Sequence, residues 1–274
     1  MRVLFVLIHC FYTCTAVSQQ LPDALLSVIS GGSAYGPDQQ DAFGVLVNPA
    51  VVSRAGHLSA GVFGERRYAL KDLQQLSGLL QCPFQRGGFG MQVDYIGSAR
   101  MNETTFGLAY GMPLGSQMDV GIRIRHYTLH IPGYVRSSTI WAEAGFLFKL
   151  TDQVVTGFSF SRSTRSRISA EEPGLSQVFR MGLGYRPSRK ILLVTDWLKQ
   201  TNRAIIGTCM VLYSFDEGLR LRAGWNLSTG QPVLGAGMCW KSMRSDIMMA
   251  YHPLLGFTPM LQFLWDSLRR KKEK

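Results

Sequence analysis

Charge is what this chain has least of. Only 17% of its 274 residues are Asp, Glu, Lys or Arg, whereas a soluble domain carries about a quarter. Its surface is therefore poor in charge. Long apolar runs are missing as well. Beyond the first twenty residues there is no unbroken stretch of about twenty, which excludes a bilayer-spanning helix, and 29 scattered glycines discourage long helices of any kind. Cysteine is sparse. Cys10 and Cys14 lie in the leader, and Cys82, Cys209 and Cys239 are an odd set at unrelated spacing, so no disulfide framework is implied.

Signatures of chemistry are absent too. Ser159 and Ser161, in FSFSRS, lack a nucleophile-elbow turn. No Gly-rich loop has the strand-then-helix setting of a phosphate site. His126 and His130 are four apart, the spacing of a helical zinc pair, but no glutamate or third ligand accompanies them. The net charge of +11 is spread along the chain without a basic helix or an RNA-binding motif. The reading is of no enzyme, no cofactor, no metal and no nucleic-acid partner.

What is present begins with MRVLFVLIHCFYTCTAVSQQ: a basic residue, an apolar core and small residues, the pattern of a secretory signal peptide over 1–18. From His57 onward, short segments alternate apolar and polar or small residues. In EGLRLRAGWNLSTG, Leu219, Leu221, Ala223, Trp225 and Leu227 take one parity, and Arg220, Arg222, Gly224 and Asn226 the other. Side chains alternate faces along a strand, so each such segment has one apolar face.

Strands are predicted at 57–65, 75–83, 88–97, 102–111, 117–129, 136–150, 153–162, 176–186, 189–199, 203–215, 218–227, 231–241, 244–252 and 257–265. Tight turns are read at Pro113-Leu114-Gly115, Thr151-Asp152, Pro187-Ser188 and Asp216-Glu217-Gly218, and longer loops at 66–74, 131–135 and 163–175. Turns and loops alternate as they do in outer-membrane barrels, and aromatics, among them Tyr110, Tyr127, Tyr185, Trp197, Trp225, Trp240 and Trp265, recur near strand ends. A soluble sandwich could share the parity; the leader, the low charge and the even run of hairpins favour the membrane. The expected fold is all-β, a transmembrane antiparallel up-and-down barrel of about 14 strands with an irregular N-terminal plug or cap.

The expected organisation is signal peptide 1–18, plug or cap 19–56, barrel 57–265 and a basic periplasmic tail 266–274. Arg123, Arg125, Glu143, Arg180, Arg220 and Arg222 are the candidate lumen-facing residues, with Asp94, Glu143 and Asp196 as partners for the arginines, since unpaired charge inside a narrow barrel is costly. Gly107, Gly111, Gly121, Gly182 and Gly184, on the inward parity, are read as leaving room in the lumen. The apolar run Val45, Leu46, Val47, Val51 and Val52 is read as able to pack into the periplasmic mouth.

Several short motifs carry a family likeness. Gly31-Gly32, Asp41-Ala42 and Asn48-Pro49-Ala50 precede the first strand, LRAGW spans Leu221 to Trp225, and a closing pattern contains His252, Pro253 and Gly256. In these the chain resembles the PorV/PorQ-like barrels, which belong with the FadL-like outer-membrane proteins. The resemblance implies a Gram-negative outer membrane, both termini in the periplasm, and contact with outer-membrane lipid. It also implies a non-enzymatic secretion-associated or channel-type component that partners secretion-machinery proteins. The alternative is a FadL-like conduit for a small hydrophobic ligand, with the N-terminal segment as its hatch.

Overall fold

A computed structural model describes residues 26–30, 32–37, 41–133, 135–163, 177–201, 203–215 and 218–267. The expected signal peptide, residues 19–25, 31 and 38–40 of the expected plug, most of the 163–175 loop, Asp216 and Glu217 of an expected turn, and 268–274 of the expected tail lie outside the described residues.

The alternating segments form β1 (Ser59–Arg66), β2 (Gln74–Phe84), β3 (Gly87–Gly97), β4 (Asn102–Leu114), β5 (Met118–Ile131), β6 (Val135–Lys149) and β7 (Val154–Ser163). The chain continues through β8 (Gln177–Ser188), β9 (Ile191–Gln200), β10 (Ile206–Ser214), β11 (Leu219–Asn226), β12 (Gln231–Trp240), β13 (Met243–His252) and β14 (Gly256–Asp266). Each strand pairs antiparallel with its neighbour in sequence, and β14 closes on β1, from Ser59↔Asp266 to Glu65↔Met260. The protein is a closed 14-stranded barrel.

Strand ends differ from the sequence reading by at most three residues, and two turns move. Pro113 and Leu114 stay paired, with Asp119 and Met118, and the reversal falls on 115–117, where Gly115 takes φ +79°. Pro187 and Ser188 likewise remain in β8. The β8–β9 register shifts between Tyr185 and Ser188, around a proline that has no N–H to give the ladder.

The two faces have opposite chemistry. Leu221 is 44% exposed and Arg222, next to it, 4%. Ile122, Ile124, Leu234 and Ile247 are also exposed, a continuous apolar exterior that a soluble protein does not carry. Aromatics border it at both ends. Phe84, Phe89 and Tyr110 stack at the turn end, with Tyr213 and Phe215 beside Trp240 and Trp265. Tyr251 packs on Phe257 at the loop end, near Trp225 and Trp197. Tyr127 departs from the girdle reading, because it shares the parity of the inward Arg123 and Leu129. The wall is uneven in height: β6 has 15 residues and β11 only 8.

Inside, the described part of 26–56 fills the turn-side half of the barrel. It comprises a helical turn, Leu26–Ile29, and two 3₁₀ turns, Ala42–Leu46 and Pro49–Arg54. Val28, Tyr35, Phe43, Val45, Val47, Val51 and Val52 are buried against the inner wall.

Candidate functional site: the plugged lumen

The plug holds its own shape first. Asp41 caps one 3₁₀ turn, its Oδ1 accepting from Phe43 N at 3.0 Å, and Asn48 caps the other, its Oδ1 accepting from Ala50 N at 2.9 Å. Pro49 follows at the first position of that turn, where a missing N–H costs nothing. Asn48 also spends its amide protons on the wall: Nδ2 donates to Phe146 O at 3.1 Å and to Phe158 O at 3.2 Å. One fully buried side chain thus caps the plug and clamps it to β6 and β7.

The wall is hollowed where the plug touches it. A Cβ at Gly61 would meet the Phe43 ring, one at Gly121 the Pro49–Ala50 backbone, one at Gly145 the Asn48 side chain, and one at Gly182 the Tyr35 ring. The inward glycines therefore do not widen the lumen. Gly111, Gly121, Gly182 and Gly184 are seats for the plug, and Gly107 faces Arg125 and Gln92.

Charge fastens the contact. Arg123 and Glu143 are cross-strand partners, 2.6 Å apart, and Arg123 Nη1 donates to Gln92 Oε1 at 3.0 Å and to the plug carbonyl of Val45. Arg222 Nη1 donates to Val28 O at 2.9 Å and Ile29 O at 3.0 Å, with Asp246 at 3.6 Å. Arg244 donates to Asp41 Oδ2 at 2.6 Å and to Asp246 Oδ2 at 3.0 Å. Arg54, leaving the plug, grips Asp119 at 2.7 Å. Tyr35 donates to Asp196 Oδ1 at 3.3 Å, and Arg180 lies 3.8 Å from the same carboxylate. Burial first, and then the Asp196 charge, push the Tyr35 phenol well above its ordinary value, so it stays a neutral donor.

The other candidates are distributed as follows. Arg220 is buried two residues from Arg222 on the same face. Arg125 lies above this cluster, 3.7 Å from Glu143, with its guanidinium over the Trp141 ring. Asp94 makes no ion pair with an arginine among the described residues; its Oδ2 accepts from Gln92 Nε2 at 2.5 Å. Asn48, Pro49 and Ala50 sit in the plug, whereas His252, Pro253 and Gly256 lie at the far end. There His252 Nδ1 accepts from the Leu254 and Leu255 amides, and Gly256 takes φ +88°. His126 points outward. Above the plug the wall is mixed, with Gln75, Ser77, Thr139, Ser161, Ser163, Asn226 and Gln231 buried beside Leu129 and Leu198.

Sequence reasoning missed Tyr35, Arg54, Asp119, Arg244 and Asp246 as functional residues. In MRSDIMM, Arg244 and Asp246 alternate with Met243, Ser245 and Ile247, so the inward parity was there to find. Nothing local marks Tyr35.

These features define a class: a transmembrane barrel of the outer-membrane type whose lumen is stopped by its own N-terminal segment. No family model matches the chain, and no curated protein matches it. Among solved structures it is similar to a FadL homologue of Pseudomonas aeruginosa, with a TM-score of 0.53, 11% identity, and coverage of 89% of this chain and 98% of that one. The toluene transporter TodX of Pseudomonas putida gives a TM-score of 0.52 at 10% identity, covering 80% of this chain and 91% of that one. The toluene transporter TbuX of Ralstonia pickettii gives 0.52 at 9%, covering 82% and 92%. At such identities the likeness is one of fold. It is to FadL-type barrels, and nothing in it singles out PorV or PorQ.

Proposed function

We propose that this protein is a FadL-type conduit for small hydrophobic molecules across the outer membrane, with residues 26–56 as its stopper. The carrying observation is that the plug is fixed by side-chain hydrogen bonds and ion pairs to the wall, all of which can break without unfolding a strand. The resemblance in fold to transporters of toluene supports the class of solute. The mixed wall above the plug, polar side chains among Leu129 and Leu198, narrows that class to hydrophobic molecules bearing a polar group.

In the same reading the signal peptide is 1–18, the short turns face the periplasm together with both termini, and 266–274 is a periplasmic tail. The secretion-associated reading, the first one the sequence suggested, gains no support from the similar structures.

Planar-bilayer recording tests the stopper: deleting 31–56 raises single-channel conductance severalfold, in a barrel whose folding is checked by heat-modifiable gel migration. Equal conductance of the intact and truncated barrels would sink it. Vesicle permeation tests the solute: cresol should enter faster than toluene, and faster still through the truncated barrel. Equal rates with and without the protein would rule out the conduit.

A further inference from the structure

The outer face of the barrel is apolar in its middle but not equally so at its loop end. On β5 to β9 the outward positions beyond the apolar band carry basic residues at two levels, since Arg162 pairs with Ala142, six residues along β6 from Arg136. Arg136 on β6, Arg162 on β7 and Lys199 on β9 are all exposed, with His126 and His130 on β5 beside them. His130 and Arg136 are cross-strand partners. Arg162 pairs with Gln177 across β8, and Lys199 with Phe179, two residues below Gln177.

Arg136 and Arg162 make no ion pair and no side-chain hydrogen bond among the described residues. Among the described residues Lys199 Nζ donates only to the Arg203 carbonyl, at 2.6 Å, and meets no carboxylate. The carboxylates of these strands cannot neutralise the row, since Asp119, Glu143 and Asp196 all point inward and are buried. The opposite arc is different. From β10 to β14 the loop end carries Ile205, Leu227, Leu254, Leu255 and Phe257, all exposed and uncharged.

We infer that the β5–β9 arc binds the phosphate groups of lipid headgroups in the leaflet that surrounds the loop-side rim. Direction decides for lipid over a soluble acidic partner. These cations share the outward parity of Ile124, Ile140, Phe158 and Trp197, all more than 40% exposed on the lipid-facing wall, so they project sideways over the acyl chains rather than up into water. Long basic side chains at the edge of an apolar band extend their heads to the polar interface. Arg162 and Lys199 are two strands apart, about 10 Å by strand spacing, so the arc offers several separate contacts. The inference stands apart from the conduit reading, for it concerns the outside of the wall alone.

The test is lipid selectivity at the barrel surface. The full-length protein is reconstituted into phosphatidylcholine vesicles containing a trace of spin-labelled phosphatidic acid or spin-labelled phosphatidylcholine, and the motionally restricted fraction gives the relative association constant. Phosphatidic acid should be preferred, and the preference should weaken as salt is raised. Arg136→Gln with Arg162→Gln should lower it by about fivefold for each charge removed, while Arg136→Lys with Arg162→Lys should keep it.

The inference is overturned if the wild type shows no preference, if the preference ignores salt, or if the glutamine pair retains it. It is overturned in favour of a free-anion site if inorganic phosphate abolishes the preference when chloride at equal ionic strength does not. The salt series uses only the wild-type chain, so it decides even if the glutamine pair does not fold.

Discussion

The ring of Tyr35 lies against Gly182, in the space that a side chain at position 182 would occupy. An inward glycine in a strand is usually read as an empty place; this one is the mould of a residue nearly 150 positions earlier in the chain. Gly182→Ala should therefore push the plug away from β8 at a cost of about 1–3 kcal/mol, the range for overpacking. In a Tyr35→Ala background the same change should be close to neutral. Equilibrium refolding into vesicles gives both values, and additive costs would show that the two positions do not meet.

Asn48 is the second point of attachment. Asn48→Ala removes a cap and two wall contacts together, and should destabilise the plugged state by about 1–3 kcal/mol, because the groups left behind stay buried. The expected record is a barrel of unchanged strand content with frequent brief openings in planar bilayers. Traces indistinguishable from the wild type's would mean the clamp is dispensable.

Arg123 and Glu143 should behave as a unit. Both are nearly inaccessible, so Arg123→Met leaves the buried Glu143 only Arg125, 3.7 Å away, and should cost about 3 kcal/mol. The double change Arg123→Met with Glu143→Leu should cost less than either alone. A double variant at least as unstable as the singles would show that the charges do more than cancel one another.

Leu221 and Arg222 separate the two faces. Leu221→Arg places a charge in lipid and should cost about 2–4 kcal/mol if that site is near the midplane. Arg222→Leu leaves the lipid face intact but removes the donor to Val28 O and Ile29 O. It should insert normally and leak. Insertion yield and conductance, measured together, distinguish these outcomes.

Most of the wall was legible because it follows one rule. Alternation with period two sets which side chain faces lipid, and Gly and Pro mark where the chain turns. That was enough for all fourteen strands and for the opposite faces of Leu221 and Arg222. The turn errors at Pro113 and Pro187 arose because proline ends a ladder's hydrogen bonding without always ending the strand.

The plug was legible only as composition. Its contacts join residues with no periodic relation: Asp41 to Arg244, Asn48 to Phe158, Tyr35 to Asp196. Three-dimensional complementarity of this kind leaves no mark in either partner's local sequence. Glycines at 121 and 182 read as vacancies for the same reason, since the side that fills them lies elsewhere in the chain.

The uneven wall bears on the membrane as much as on the protein. At about 3.3 Å per residue and a tilt near 40°, the 15 residues of β6 reach about 38 Å along the bilayer normal, and the 8 of β11 about 20 Å. The apolar band of an outer-membrane barrel is about 25 Å tall. One flank therefore overshoots the hydrocarbon while the other falls short of it, and Leu227, Leu254 and Leu255 prolong the short flank with exposed apolar loops. Lipid beside β11 must be pinched, or the whole cylinder must lean, to keep that flank covered. The barrel is in effect a wedge, and the thinnest bilayer in its neighbourhood is the lipid it pulls down along its own low side.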